Sequence, residues 1–468
     1  MRTTFSGLEI ASRALASSQR ALDVTGHNIA NANAIGYTRQ RVTLAATDPY
    51  TVASTVRGAQ AGQVGTGVWV LEIKRLQNLL LAGQTRNLAA EAAAAECRQE
   101  GLSRLQAVIN EPGENGLHSL LDGFWNSWQA LSTDPADLAL RAGCRAAATS
   151  LCDGFRRTAT LVQSMRDGAD EGLRAEVQLV NSLAREISLI NDSIRRATQI
   201  GDNPNDLLDR RDVLLADLAR SVDVRVHEYG DGSVAVTIGG FELVQQFGFQ
   251  ELAVKVDPVS GLVQAVWADC GLPVRVSGGK LAGLLEMRDQ VYGRFLADLD
   301  SITAALAARV NEVHRTGYTL EGQPGGDFFD PSATGAINLS LAPGILDNLR
   351  NIATSGGGEP GDGSCALAIS RIRADGLAGL GGYTVDGLYR GLVADIGVRA
   401  LETDRQLETL DLLGRQVAAQ LDREAGVSID EELIDLMKHQ HAYNAAARVL
   451  SAMDEMIATL LERLGAGR

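Results

Sequence analysis

The chain has 468 residues, with 43 Lys plus Arg against 58 Asp plus Glu and a formal net charge of -15. A chain this acidic lacks the basic face that nucleic acid or an anionic membrane rewards. With 45% hydrophobic but only 4% aromatic residues, it is neither disordered throughout nor an aromatic-rich β-sandwich, and its length suggests about three domains.

At the N-terminus, Leu8, Leu15, Leu22 and Ile29 recur every seven residues, with Ala11, Ser18 and Thr25 between them. Steps of three and four draw a narrow apolar stripe along a helix, the seam of a coiled coil rather than a broad core-facing side. Two ordinary amphipathic surface helices, one at each end of the chain, remain the alternative on periodicity alone. The start, MRTTFSGLEIASRALASSQR, has no apolar h-region, and no run in the chain approaches the roughly 18 apolar residues of a membrane helix. The helix stops within GHNIANANAIGYTRQRV (residues 26–42), where Gly36 suits the left-handed conformation. There Asn28, Asn31 and Asn33 compete for backbone hydrogen bonds, either as plain surface or as bridges to a neighbouring chain. Tyr37, Arg39 and Arg41 follow on an extended stretch.

Three long helical tracts come next. The first runs from about Glu72 to Asn110 with a seam of small residues, including Gly83, Ala90, Ala94 and Gly101. After Trp125, Trp128 and the Asp134-Pro135 breaker, the second reaches about Ile200 with Val180, Ile187 and Ile194 in phase. The third, from Lys280 to about Val313, places Leu285, Tyr292, Phe295, Leu299, Ile302 and Leu306 in heptad steps. Each is too narrowly apolar to stand alone, so the tracts are expected to pack as an elongated bundle. Between the second and third, Val222 to Val276 shows period two, with turns at Gly230-Asp231-Gly232 and Asp257-Pro258, the signature of a small antiparallel β domain. A second, loop-rich insert spans Gly317 to about Ser364. The chain is thus expected to leave the bundle, build a β-rich head and return, with its termini meeting at the opposite end.

The C-terminal helix is expected from about Ile429 to Leu464, opened by a capping box of Ser428 and Glu431. Tyr443, Ala446, Leu450, Met453, Ile457, Leu460 and Leu464 form its seam. The fold class is therefore mainly α with a β-rich insert: an elongated bundle and coiled coil from both termini plus a small antiparallel β domain.

Nothing assembles a catalytic or ligand site. The five cysteines are irregularly spaced and read as small thiols rather than a zinc or disulfide framework. His439 and His441 point to different faces of their helix. Gly356, Gly358 and Gly361 match GxGxxG, but Pro360 lies inside and no helix opens behind it, so a flexible loop is expected. Asp209-Arg210-Arg211-Asp212 reads as a solvated or ion-paired helix face. No enzyme activity, metal or cofactor is expected.

Residues 6–40 resemble the N-terminal signature of bacterial flagellar axial proteins, and residues 426–461 their C-terminal one. The interior segments NPNDLLDRRDVLLADLARSVDVRV (203–226), KLAGLLEMRDQ (280–290), NEVHRTGYTLEGQPGGDFFD (311–330) and YRGLVADIG (389–397) resemble the hook-associated protein 1 family. That resemblance implies a structural protein joining the flexible hook to the stiff filament, with paired terminal helices as an inner tube, longer helices as the next shell and β-rich domains outside. It implies a ring of copies as the self-assembly, hook protein and the second junction protein as neighbours, and a cytosolic export chaperone on the C-terminal helix. It also implies a flagellar, extracellular location reached by type III export without a cleaved signal.

The expected domains are residues 1–35 with 429–468 (terminal coiled coil), 36–221 with 280–316 and 366–428 (helical bundle), and 222–279 with 317–365 (β-rich outer domain). The expected assembly interface comprises Leu8, Leu15, Leu22, Ile29, Asn28, Asn31, Asn33, Tyr443, Leu450, Met453, Ile457, Leu460 and Leu464, with both termini ordering only on joining the ring. Between Asp330 and Tyr389 the chain is shorter than in larger family members, so an outermost extra domain is expected to be missing or reduced. Hook protein, the second junction protein, a cytosolic coiled-coil scaffold or a hydrolase hidden in the β-rich insert are the alternatives.

Overall fold

The computed structural model describes residues 5–49, 65–111, 113 and 116–465. Helix α1 (Ser6–Asn31) gives way near Gly36, whose φ of 79° is left-handed as its place after the helix required. A hairpin follows, β1 (Gln40–Ala46) with β2 (Val68–Arg75), in which Val42 lies opposite Ile73. The helix expected from Glu72 therefore starts later. Residues 72–75 are held in pairing with β1, and α2 (Leu79–Ile109) begins only after Asn78, whose side chain accepts from the Leu80 and Leu81 amides.

Helix α3 (Leu117–Thr133) precedes α4 (Leu138–Gln199), whose 62 residues span about 90 Å at 1.5 Å each. After α5 (Asn205–Ser221) the period-two region forms strands. β3 (Arg225–Glu228), β4 (Val234–Ile238), β5 (Phe241–Gln245) and β6 (Gly248–Phe249) make one antiparallel sheet, and β7 (Leu252–Val256) pairs with β8 (Val263–Trp267). The third helical tract is α6 (Gly279–Glu286), a π-helical turn (Met287–Tyr292) and α7 (Gly293–Thr316). Short helices α8 (Pro343–Asp347) and α9 (Ser364–Arg371) lead to α10 (Val385–Ala425) and α11 (Ile429–Gly465).

Two separate hydrophobic cores hold these elements. The first gathers Leu102 and Leu105, Phe124, Trp125 and Trp128, Phe155 and Val162, Phe295 through Val310, and Tyr389. The second joins Leu173 through Ile187 of α4 and Leu215 of α5 to the inner faces of the strands, including Val236, Leu252 and Trp267.

The expectation that residues 317–365 join residues 222–279 in one outer domain is corrected by this division. Phe328, Phe329, Leu339, Ile345 and Ile352 all belong to the first core. The Phe328 ring packs against Trp128 with centroids 5.0 Å apart and against His314 at 5.5 Å. The Gly356–Gly363 stretch is likewise not a loose loop. The Asp362 carboxylate accepts from the amides of Gly356, Gly357 and Ser364 and from the Ser355 and Ser364 hydroxyls, which holds its carboxyl far below the usual range.

Mid-helix asparagines dock extended segments by completing both halves of a backbone pair. Asn181 of α4 donates to the Leu252 carbonyl and accepts from the Leu252 amide, both at 2.8 Å. Asn191 does the same for Val234, and Asn311 of α7 for Phe329 while also accepting from the Phe328 amide. Buried arginines supply the other joints. Arg141, fully buried, donates to the carbonyls of Pro135, Leu349 and Ile352 and to the Thr354 hydroxyl, pinning the second insert to α4. Only four of the 43 basic residues are lysine; the rigid fork of donors on a guanidinium suits such multi-partner burial better than an ammonium.

The five cysteines are free, and Cys144, Cys152 and Cys365 are buried. Burial pushes the Cys144 and Cys152 thiols up to about 12, which keeps them protonated and unreactive at neutral pH.

His314 gives the first core an acid-sensitive point. Its Nδ1–H donates to the Gly326 carbonyl at 2.7 Å while Nε2 accepts from the Ala353 amide at 2.8 Å, so the pair of contacts fits the neutral ring only. Burial lowers its pKa to about 4. The unfolded chain takes up a proton near pH 6.5 that the folded chain refuses until about pH 4, so stability falls as pH drops through that window, by roughly 1.4 kcal/mol per unit. Urea unfolding of the wild type and His314→Gln at pH 7.5 and pH 5 is expected to show a smaller loss in the variant. Equal losses would assign the acid sensitivity elsewhere.

Candidate assembly interface

Helices α1 and α11 form a rod in which each is the other's partner within one chain. They run antiparallel: Gly7 faces Met453 near one end, and Asn28 reaches Glu432 near the other. The two terminal helices thus already pair with each other inside one chain. Small side chains explain the close approach: apart from Asn28 and Glu432, the buried members of the pair among the described residues are Ala11, Ser17, Ala21, Thr25 and Ala446. Leu8, Leu15, Leu22 and Ile29, and across from them Tyr443, Leu450, Met453 and Ile457, are only half-buried. Leu460 is 47% exposed, and Leu464 lies in α11 with its side chain outside the described residues. Beyond the seam, α11 also exposes Leu433, Met437 (53%), Val449 and Met456 (52%). One chain thus covers only one side of its rod.

The three asparagines part company. Asn28 is 2% exposed and turns inward: its Nδ2 donates to the Gln40 carbonyl at 2.9 Å and to Glu432 at 3.0 Å. Its Oδ1 accepts from the Gln40 amide at 3.0 Å and the Tyr37 hydroxyl at 2.7 Å. It therefore bridges the chain to itself, which corrects the bridge to a neighbouring chain. Asn31 bonds back to the His27 carbonyl in its own helix, and Asn33 lies exposed.

Around Asn28 the rod is fastened to the rest of the molecule. Arg39 bonds Glu432 at 2.6 Å and Glu431 at 2.8 Å, and its amide donates to the Ala425 carbonyl at the end of α10. Burial works against the Arg39 charge, but those carboxylates outweigh it and raise its pKa. The Ser428–Glu431 capping box is consequently half-formed: Glu431 gives its carboxylate to Arg39, leaving one 3.5 Å contact from its amide to the Ser428 hydroxyl. Burial first, then Asp206, Asp209 and Glu432, push the Tyr37 hydroxyl well above its ordinary range, so it stays a donor.

The hairpin is fixed to α5 in turn. Arg75 bonds Asp209 at 2.9 Å and Asp212 at 2.6 Å, Thr38 donates its amide to Asp209, and Asn205 donates to the Ile73 carbonyl. Burial raises Asp209 above the usual carboxylate range, against the pull of Thr38 and Arg75. The 209–212 cluster is thus an ion-paired face, with Asp209 and Arg211 buried in the joint and Arg210 exposed beside Glu186. Arg211, 2% exposed, reaches the Gly232 carbonyl in the head. Sequence reasoning missed Arg75, Gln40 and Asn205; the polar run around residues 203–212 was the signal that something met α5.

Comparison with known proteins places these elements. Residues 102–329 match the family model described as the flagellar hook-associated protein FlgK helical domain. Residues 8–38 match that of the flagella basal body rod protein, and residues 423–463 that of the flagellar basal body rod FlgEFG protein C-terminal region. A curated relative from Bacillus subtilis, flagellar hook-associated protein 1, is 32% identical over 512 aligned positions that cover all of both chains. The Salmonella typhimurium protein of the same name is 30% identical over 73% of this chain and 63% of its own length. The solved flagellar hook junction protein FlgK from Burkholderia pseudomallei superposes with a TM-score of 0.65 over 74% of this chain and all of that one, at 16% identity, which is a likeness of fold.

Proposed function

The chain belongs to the flagellar hook-associated protein 1 family, and we propose that its rod packs against the rods of neighbouring copies in a ring at the hook–filament junction. It is a structural protein of the bacterial flagellum. The half-covered rod carries the ring reading: Leu15, Leu22, Leu450 and Met453 keep part of their apolar surface bare, while Met437, Val449 and Met456 are more exposed still. Covering such surface is worth about 25 cal/mol per Å². Flanking copies supply that cover without asking either helix to leave its partner.

In this reading hook protein lies on one side of the ring and the second junction protein on the other, and the chain has no catalytic role. The rod comprises residues 1–35 with 429–468. The body comprises residues 36–221, 280–316 and 366–428, now with 317–365, and the head is residues 222–279. The chain leaves the cell by type III export without a cleaved signal, and a cytosolic chaperone covers the apolar side of α11 until then. Relative to larger family members the outermost domain is reduced. Deleting the protein is expected to leave hooks without filaments and filament subunits in the medium, as seen by electron microscopy and blotting of culture fluid. Normal filaments on the deletion strain would refute the proposal.

A further inference from the structure

The two cores do not merge. In α4 the first ends at Val162 and the second begins at Leu173; along the third helical tract the second ends with Leu285 and the first begins with Met287. In α2 the first core reaches back only to Leu102, and Gly101 comes just before it. At that level the buried side chains of α2 and α4 are small, Gly101 and Ala169, while the third tract carries Met287, Val291 and Tyr292 of the first core across it.

Several independent features coincide at that level. The third tract changes from α to π over Met287–Tyr292, a rare conformation that occurs mostly as single turns inside helices and often at functional sites. Glycines line the crossing: a Cβ on Gly101 would meet Met287 and the Tyr292 hydroxyl, and one on Gly172 would meet Leu284. A cavity of about 370 Å³ opens there, bounded by Gly101, Met165, Gly168, Met287 and Tyr292. One buried side chain ties the parts together. Arg288, 3% exposed, donates to Asp170 of α4 at 2.6 Å, to Asp289 at 2.7 and 2.9 Å, and to the carbonyl of Val263 in the head.

We propose that this neck, formed by Gly101, residues 166–172 and the π turn, is a hinge between the first-core body and the second-core unit, the β-rich head together with the α4 and α5 residues packed on it, with Arg288 as its catch. A layer with few buried apolar contacts is where a fold opens at least cost, and hinge motion concentrates in a few residues between packed bodies. The flexible thioethers of Met165 and Met287 beside the cavity allow small rotations without a rigid clash. If the chain sits between a bending hook and a stiff filament, which rests on the reading above, the neck lets the first-core body yield against the unit made of the head, α5, the hairpin and the rod, which stays packed.

The test uses the full-length free chain and so stands apart from assembly. Spin labels at Val259→Cys, on the 93% exposed tip of the head, and at exposed Thr149→Cys in the body, with exposed Cys270 changed to Ser, report the distance between the two parts by pulsed electron resonance. The expected wild-type distribution is broad. Gly168→Leu, which lines the cavity where an added Cβ meets nothing within 4 Å, narrows it, and Gly168→Ala does so more weakly. Arg288→Met broadens it, with circular dichroism confirming that helix content is kept. A wild-type distribution as narrow as that of Gly168→Leu, or one that neither Gly168→Leu nor Arg288→Met alters, overturns the hinge and leaves the ring proposal untouched.

Discussion

Leu450→Asp, and separately Leu15→Asp, is expected to abolish filament attachment while leaving the body and head folded. Both leucines lie on the α1–α11 seam, each half-buried. Within one chain the lost burial is worth at most roughly 1.5–3 kcal/mol. If neighbouring copies cover the same position in a ring, as proposed, a carboxylate there would be desolvated without a partner, at a cost the seam would not recover. Among the described residues, none of the rod belongs to either hydrophobic core, so thermal unfolding of the body is expected to stay where it is in the wild type. Electron microscopy of cells carrying each variant decides the matter: hooks without filaments are expected, and ordinary filaments would remove the rod from the interface.

Asn28→Leu is expected to loosen the rod more than a seam substitution does, although the side chains are nearly equal in size. The change removes partners from the Gln40 amide and carbonyl, the Tyr37 hydroxyl and one oxygen of Glu432, in a place that is 2% exposed. Each unsatisfied buried group costs on the order of 1–3 kcal/mol, more where the group is charged. Even if two of the four find water, the sum is about 2–6 kcal/mol. Amide hydrogen exchange on the monomer should accelerate along α1 and the first turns of α11, with the first core unchanged. Asn33→Leu, at an exposed position, serves as the comparison and should change nothing. Unaltered protection in Asn28→Leu would show that the rod is held by its seam alone.

The contrast between Leu450 and Asn28 also shows which parts of the site were legible in the sequence. Heptad steps name the seam residues because a helix repeats every 3.6 residues whatever it packs against. They say nothing about how far each seam residue is buried, which the antiparallel pairing with alanine-rich turns decides. Asn28 stood out as an amide near a helix end, but its direction could not be read: the same side chain serves a neighbouring copy or the next strand equally well. Asn181, Asn191 and Asn311 drew no notice at all. Each sits inside a helix, where asparagine is a poor former, and that mismatch was the available signal.

Local periodicity determined the kinds of element and their order: narrow-striped helices at both ends, long helices between, and a strand-forming stretch from Val222 to Val276. Those features depend on residues a few positions apart, and a sequence carries them explicitly. Tertiary structure alone decided that residues 72–75 pair with β1 instead of starting α2, that the second insert joins the helical core, and that Arg39, Arg75 and Asp209 lie inside. These outcomes hinge on partners from 29 to 404 positions away, such as Thr43 with Glu72, Arg75 with Asp209 and Asn28 with Glu432. Side-chain chemistry sets what such a group is able to bond, whereas the path of the chain sets what it meets.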